Sequence, residues 1–455
     1  MMKRKTILNM TTGSPIRLLI QFAIPLLIGN LFQQAYSLTD SIIVEQYLGA
    51  HALAAVGATN SVTFLFFSIC NGISSGAGIV TSQFFGADSQ EKTKRSIANS
   101  AYIMLLAALI MGTAAFLAAP GILRFLGTPA EILPHSLSYI RMTCIGVPLV
   151  AVYNYSAAML RALGDSRTPL YFLICSAFLN IGLDLLLVTV LKMGVFGAAL
   201  ATVIAQMTSG IGCLLFAVKT NPYFQLSRED LRVDFKVVYQ IIRIGLPLAL
   251  QWSLIAVSTS ALQRFVNSFG PDAMAAFTST NRIEQLVHMP YGSISNALAT
   301  YAGQNYGARN IPRVKQGLKQ GMILATVLSG AMLLVFQLLN RPIIGMFVSE
   351  PAVIELGARG LRVTSCFYLS LGAIYVSRGL LNGVGDAMFA FINGIVEVIC
   401  RIGIPVVLVA LIPNIGCIAI WWTTCLTWSG SAVFCMLRYY VWNRKTQRRG
   451  NLQTA

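Results

Sequence analysis

The sequence is short of charge. Only 11% of its 455 residues are Asp, Glu, Lys or Arg, against about 25% in an ordinary soluble domain. So few ionised groups cannot coat a water-soluble surface of this size, which excludes a soluble enzyme. A hydrophobic content of 56% equally excludes a disordered chain. Nine cysteines (70, 144, 175, 213, 366, 400, 417, 425 and 435) stand inside apolar blocks without a C-x-x-C pair. Disulfide frameworks and zinc or redox sites need clustered cysteines, so these read as small core residues. The three histidines (51, 135 and 288) form no cluster. A G-x-x-x-x-G-K-[ST] loop is missing, so ATP is not the energy source within this chain; H-E-x-x-H is missing too. The chain is therefore not expected to be an enzyme, and no cofactor is expected.

Apolar blocks of 20 or more residues are abundant, long enough to cross a bilayer as helices. Twelve stretches are predicted, at 16–46, 53–83, 96–119, 136–159, 168–190, 196–217, 238–268, 273–303, 317–340, 359–382, 387–411 and 415–441. The expected fold is all-α: a polytopic membrane protein of 12 transmembrane helices. The longest polar connection, 219–237, divides a first six-helix bundle (1–218) from a second (238–441), and a basic tail (442–455) follows. Met1 to Thr12 carries Lys3, Arg4 and Lys5. No small-residue cleavage site follows the first apolar block, which is expected to stay as an anchor.

The net charge of +17, from 33 Lys+Arg and 16 Asp+Glu, reads as topology and not as nucleic-acid binding. Counting Lys and Arg on alternate sides of the spans places 24 on the side of both termini, Arg378 among them, and five on the other (Arg124, Lys192, Arg341, Arg359 and Arg362). Four more (141, 264, 282 and 401) lie within spans. Basic residues accumulate in the cytoplasm, so a multi-pass protein of the cytoplasmic (inner) membrane with both termini inside is expected.

The halves repeat at an offset of about 221 residues. F-A-I-P at Phe22–Pro25 returns as I-G-L-P at Ile244–Pro247. L-G-A-H-A-L-A-A at 48–55 returns as F-G-P-D-A-M-A-A at 269–276, Q-F-F-G-A at Gln83–Ala87 as Q-N-Y-G-A at Gln304–Ala308, and A-L-G-D at 162–165 as G-V-G-D at 383–386. A shift across six helices keeps one orientation, so the bundles should be related by a pseudo-two-fold axis along the membrane normal. Two like bundles facing a central cleft suit alternating access.

Three segments carry a resemblance: T-D-S-I-I-V-E-Q-Y-L-G-A-H-A-L-A-A-V-G (Thr39–Gly57), R-x-L-G-D (Arg161–Asp165) and N-x-x-x-D (Asn180–Asp184). With the six-plus-six plan and the Q-x-x-G-A repeats, the chain resembles the multidrug and toxic compound extrusion (MATE) transporters over about residues 12–440, nearest the branch with DinF-like and MepA-like exporters. The resemblance implies multidrug efflux of cationic or amphipathic compounds in exchange for H⁺ or Na⁺, by a monomer whose partners are small-molecule drugs and membrane lipids. The alternative is a flippase for lipid-linked saccharides from a related superfamily. That activity calls for a basic cleft, whereas the cleft candidates here are mainly acidic and aromatic.

Charges at bilayer depth cost about 2.5–3.5 kcal/mol even on the lenient insertion scale, so each acid in a span needs a partner or a role. Asp40 and Asp184 lie about six residues from the outer ends of spans 1 and 5, and Thr202 the same distance inside span 6. At about 1.5 Å per residue the three share a depth of roughly 9 Å. Asn180 is one turn before Asp184 on the same face. Two carboxylates, an amide and a hydroxyl at one level supply hard oxygen ligands for a small cation, or a proton-sharing pair. Structural bonding of Asp184 and Asn180 across helices is the plainer alternative. The second half carries Ala261, Arg401 and Pro405 at the positions of Asp40, Asn180 and Asp184, so the acids are confined to the first half. The resemblance implies a cation site at positions matching Asp40, Asn180, Asp184 and Thr202. Relatives in other branches have an acid on span 7, where this chain has Ile255, and that second-half site is not carried over.

Glu284, mid-membrane on span 8, either attracts a cationic substrate or pairs with Arg282 or Arg264. Glu397 and Arg401, spaced i, i+4 on span 11, are expected to neutralise each other. Gln33, Gln34, Tyr36, Tyr153 and Asn154 on spans 1 and 4 and His288 on span 8 are candidates to line the cleft. Gly72, Gly76 and Gly78 read as close helix packing. Pro25, Pro148 and Pro247 should kink their spans, and Pro25 would let span 1 bend with cation occupancy.

Overall fold

A computed structural model describes residues 7–454, leaving Lys3, Arg4 and Lys5 outside the described residues. Thirteen α-helices follow one another: α1 (Pro15–Leu48), α2 (Ala50–Gly86), α3 (Gln90–Phe125), α4 (Leu133–Ala162), α5 (Arg167–Asp184), α6 (Gly194–Thr220), α7 (Phe235–Asn267), α8 (Pro271–Gly307), α9 (Ile311–Gly345), α10 (Pro351–Ser365), α11 (Tyr368–Gly383), α12 (Ala387–Leu411) and α13 (Ala419–Thr454). Among the described residues, nine helical segments are long and apolar enough to span a bilayer, and α2 makes a tenth if its 45° bend lies within one span.

The two remaining expected spans differ for physical reasons. Helix α8 is long but dilutes its apolar run with Asn281, Arg282, Glu284, Gln285 and His288. The tenth span, expected as one helix over 359–382, begins earlier and is broken into α10 and α11 at Cys366 and Phe367. There Gln337 of α9 inserts its amide, donating to the Arg362 carbonyl (2.9 Å) and the Ser365 hydroxyl (3.0 Å). A side chain entering the ladder is a recognised cause of helix breaks. Helix α9 has its own kink at Leu339 (φ −114°), three residues before Pro342. The last helix continues through the basic segment after Val441.

The chain clusters into two units. The first comprises the N-terminal segment up to Thr12, Gln21–Leu250 and Gly307–Arg309; the second comprises Gly13–Ile20, Gln251–Tyr306 and Asn310–Ala455. Within the first, small residues let backbones touch: a Cβ on Gly76 would meet the Gly245 amide at 2.6 Å, and one on Gly72 would meet Ala249 at 2.5 Å. Gly78 makes only an ordinary contact, 3.7 Å to the Ala158 carbonyl. Within the second, Trp421 is fully buried and its indole N–H donates to the Thr280 hydroxyl (3.1 Å). Cys175 and Cys366 are exposed, so those two are not core residues. Many large apolar side chains face outward, Leu338, Val406 and Leu411 among them, as expected where lipid replaces water.

The duplication extends to backbone conformation. Left-handed residues recur at an offset of 221: Gly49 and Gly270 (φ 85° and 89°), Gly164 and Gly385 (90° and 87°), Asp88 and Arg309 (53° and 55°). The last pair follows the repeated Q-x-x-G-A segments. A non-glycine residue rarely adopts this conformation, so its recurrence at one register reflects a shared local fold.

Candidate functional site: a buried carboxylate pair

Asp40, Asp184, Asn180 and Thr202 come together inside the first unit. Asp184 is the last residue of α5 and fully buried; Asn180, one turn earlier, is 2% exposed. A π-helical segment, Leu185–Val190, follows Asp184 directly. Such widened turns recur at functional sites, where they re-aim neighbouring side chains. The Asp40 carboxyl, on α1, lies within hydrogen-bonding reach of the Asp184 carboxyl. The Asn180 amide donates to the Thr202 hydroxyl on α6 (3.3 Å), and that hydroxyl donates to the Ala198 carbonyl (3.2 Å).

The oxygens of this group are under-satisfied. One oxygen of Asp40, both of Asp184 and the Asn180 carbonyl are buried and accept no hydrogen bond among the described residues. Orphaned acceptors in a low-dielectric setting are costly, and two adjacent carboxylates cannot both stay ionised without a counter-charge. Four converging oxygen acceptors can take up a proton shared between the carboxyls or a small hard cation, whose preferred ligands are oxygens.

Three further side chains join the group. Tyr36 and Tyr139 both neighbour the two carboxyls, and the Gln206 amide donates to the Tyr36 hydroxyl (3.3 Å). Tyr36, singled out as a cleft residue, thus sits beside the acids. Tyr139 and Gln206 were missed. Gln206 carried a signal, one turn beyond Thr202, whereas Tyr139 is six residues inside α4 but only three inside the expected span 136–159, so counting depth from that span passes over it. Of the other candidates, Tyr153 donates its hydroxyl to the Pro169 carbonyl (3.2 Å), Gln33 and Gln34 are exposed, and Asn154 is half-buried.

The second unit holds a different polar arrangement. Glu397 pairs with Arg378 (2.8 Å), not with Arg401 as the i, i+4 spacing suggested. Its Oε1 also accepts from the Asn393 amide (3.1 Å) and the Ser431 hydroxyl (3.3 Å). The Gln251 amide, turned so that its oxygen faces the guanidinium, accepts from Arg378 Nε at 2.9 Å. The partner reaches Glu397 from α11, which spacing along one helix cannot show. Arg378 therefore belongs to the bundle interior, and 23 basic residues remain on the expected cytoplasmic side. Glu284 is buried with one oxygen unpartnered; its polar neighbours are Thr364 and Arg401, whereas Arg282 and Arg264 are exposed. His288 shares a hydrogen bond with the Tyr375 hydroxyl (3.0 Å).

A duplicated helical membrane fold with unbalanced acids in one unit defines an ion-coupled membrane transporter by class. The MatE family model matches this chain twice, at residues 25–186 and 247–407, which reproduces the internal repeat. The chain belongs to the MatE family. It is 28% identical over 375 residues to a probable multidrug resistance protein, YoeA, of Bacillus subtilis, covering 81% of each chain. It is 22% identical over 431 residues to the multidrug export protein MepA of Staphylococcus aureus, covering 94% of each. Among solved structures, an outward-facing multidrug resistance MATE family transporter superposes with a TM-score of 0.89 at 22% identity, over 98% of this chain and 100% of that one. A MATE transporter in a bent conformation gives 0.90 at 21%, over 97% and 99%.

Proposed function

We propose that this chain is a monomeric secondary active exporter of cationic or amphipathic small molecules. It works by antiport with H⁺ or Na⁺ through alternating access, in the cytoplasmic membrane with both termini inside. The observation that carries the coupling assignment is the group of orphaned oxygens around Asp40 and Asp184. In this reading Asp40, Asp184, Asn180 and Thr202 hold the coupling ion, and Tyr36, Tyr139 and Gln206 shape its site. Gln34, Tyr153, Asn154, Glu284 and His288 contact substrate. The names of YoeA and MepA support multidrug export, and the acidic character of the candidates supports cationic substrates and disfavours a lipid-linked saccharide.

The cycle follows from electrostatics. An emptied carboxylate pair binds a proton or cation from outside, where the gradient supplies it. Occupancy removes the repulsion between the acids; the resemblance to MATE transporters further implies that α1 then bends near Pro25, which favours substrate release outward. Release of the ion inward resets the pair. The test is dye transport by protein reconstituted in vesicles, with Na⁺ and pH gradients imposed separately. Transport driven by either gradient supports antiport; transport indifferent to both refutes it.

A further inference from the structure

The linker between α6 and α7 is a fixed surface and not a loose tether. Asn221 caps a short 3₁₀ turn, its side chain accepting from the Tyr223 amide (3.0 Å), and Phe224 is buried. Side chains of α3 then hold the linker backbone in sequence. Lys94 Nζ donates to the Gln225 carbonyl (2.7 Å), the Tyr102 hydroxyl to the Leu231 carbonyl (3.0 Å) and the Asn99 amide to the Arg232 carbonyl (3.3 Å). The Asn99 side-chain carbonyl accepts from the Asp234 amide (2.9 Å).

What this pinned segment presents is unusual for a polar connection. Leu231, Val233 and Phe235 alternate along it and are 45%, 56% and 80% exposed, and Tyr239, one turn beyond Phe235, is 63% exposed. Arg232 and Lys236 are exposed between them, and Arg228 and Arg243 are exposed on either side. Of the nearby acids, Glu229 is exposed, Asp230 is engaged by the Ser227 amide and hydroxyl (2.8 and 2.7 Å) with Lys94 and Arg95 beside it, and Asp234 accepts from the Lys236 amide (2.9 Å). Leaving aside Arg95, which pairs with Glu91, the patch sets five basic residues (Lys94, Arg228, Arg232, Lys236 and Arg243) against these three acids. Tyr102 fixes where the surface lies. It begins the outward-facing stripe of α3 that continues through Leu105, Leu106, Leu109 and Ile110, on a helix long and apolar enough to span a bilayer. The carbonyl it holds therefore sits at the edge of the lipid-facing surface.

We propose that the linker and the first turn of α7 form an interfacial site for anionic phospholipid. Leu231, Val233, Phe235 and Tyr239 enter the boundary of the acyl region, while Arg228, Arg232 and Lys236 hold the headgroup phosphate. Apolar side chains beside a basic cluster are the composition that binds anionic membrane surfaces, and the bilayer is the one apolar phase that α3 guarantees at this place.

The test uses the full chain in lipid nanodiscs. A fluorophore is placed by Phe235→Cys, or in a second variant by Tyr239→Cys, with wild type labelled identically to subtract the native cysteines. Quenching by nitroxide-labelled phosphatidylglycerol is compared with quenching by nitroxide-labelled phosphatidylcholine. The site predicts a preference for phosphatidylglycerol. Each basic residue at such a surface contributes about fivefold, so Arg228→Gln, Arg232→Gln and Lys236→Gln together remove up to about 100-fold of that preference. The control set Arg444→Gln, Lys445→Gln and Arg448→Gln leaves it intact. Equal quenching by both lipids overturns the proposal, as does quenching by aqueous acrylamide alone. Shielding of the label from lipid and water together, with a doubled particle mass, overturns it in favour of a second copy.

Discussion

Replacing Asp40 by asparagine tests the coupling site most directly. In the native chain the Asp40 and Asp184 carboxyls lie within hydrogen-bonding reach, and neither oxygen of Asp184 has a partner among the described residues. Two full charges roughly 4 Å apart repel by about 4 kcal/mol at an effective dielectric near 20, so the empty pair draws in one positive charge. Asp40→Asn changes this in two ways. It removes one charge, and with it the repulsion, and it supplies an amide N–H that can donate to Asp184. The variant thus imitates the ion-occupied pair. Moving one ion inward down an imposed tenfold gradient releases about 1.4 kcal/mol, which corresponds to about tenfold accumulation of a substrate exchanged one for one. That gain should vanish in Asp40→Asn vesicles under either a Na⁺ or a pH gradient. Equilibrium binding of a fluorescent substrate to the purified variant should persist, because the substrate contacts proposed above do not include Asp40. Accumulation at the wild-type rate under either gradient would refute this reasoning and make Glu284 the leading candidate for coupling.

Asp184→Asn should behave nearly alike, whereas Asn180→Ala or Thr202→Ala should shift the ion concentration for half-maximal transport without abolishing it. Glu284→Gln should weaken transport of cations in vesicles and spare neutral or zwitterionic compounds; equal loss of all substrates with poor expression would assign Glu284 a structural role with Arg401. Arg378→Met should destabilise the protein by about 3–5 kcal/mol, read as a lower melting temperature in detergent, because it strands the buried Glu397 charge. Cysteines at 92, 228 and 448 should react with an impermeant reagent only in inside-out vesicles and one at 128 only from outside; labelling of 228 in intact cells would invert the topology. In the linker, burial pushes the Asp230 carboxyl up, but the Ser227 hydrogen bonds, Lys94 and Arg95 outweigh it and hold it below the usual carboxylate range. A depressed folded-state value means that the stabilisation is present at neutral pH and is lost as pH falls through the folded value, below about 4. The protection factors of amides 227–234, corrected for the intrinsic pH dependence of exchange, should fall there and not at pH 6.

The helices were legible because lipid imposes a simple rule. Uninterrupted apolar length marks a span, so helix positions such as 387–411 match α12 to the residue. The rule fails where a span's interior is polar or broken. Nothing in the residues around Cys366 announces the break between α10 and α11, because its cause, Gln337, comes from another helix. The pairing of Glu397 was illegible for the same reason: Arg401 was visible as a neighbour along the chain, and Arg378 was not. The carboxylate group was legible because depth can be counted from a span's end. That count reached Asp40, Asp184 and Thr202 but not Tyr139, which lies three residues inside the expected span 136–159 and six inside α4, because the helix starts earlier, at Leu133.

The two units share a backbone and diverge in charge, and this bears on where coupling resides. Left-handed turns recur at a constant offset, so the same local fold was available to both halves. At matching positions, however, Asn180 and Asp184 of the first half correspond to Arg401 and Pro405 of the second. The second unit closes its Glu397 charge with an internal arginine, an amide and a hydroxyl. A pair neutralised by its own protein gains little from an arriving cation. The first unit leaves two acids side by side without such a partner among the described residues, so their neutralisation must come from solution. If that difference carries the coupling, placing a positive charge inside the first site should replace the ion. Thr202→Lys, reaching toward Asp184 from α6, should insert and fold yet bind substrate with an affinity independent of Na⁺ and pH. A variant that folds and keeps the wild-type ion dependence of binding would show that the carboxylate pair is not where the ion acts.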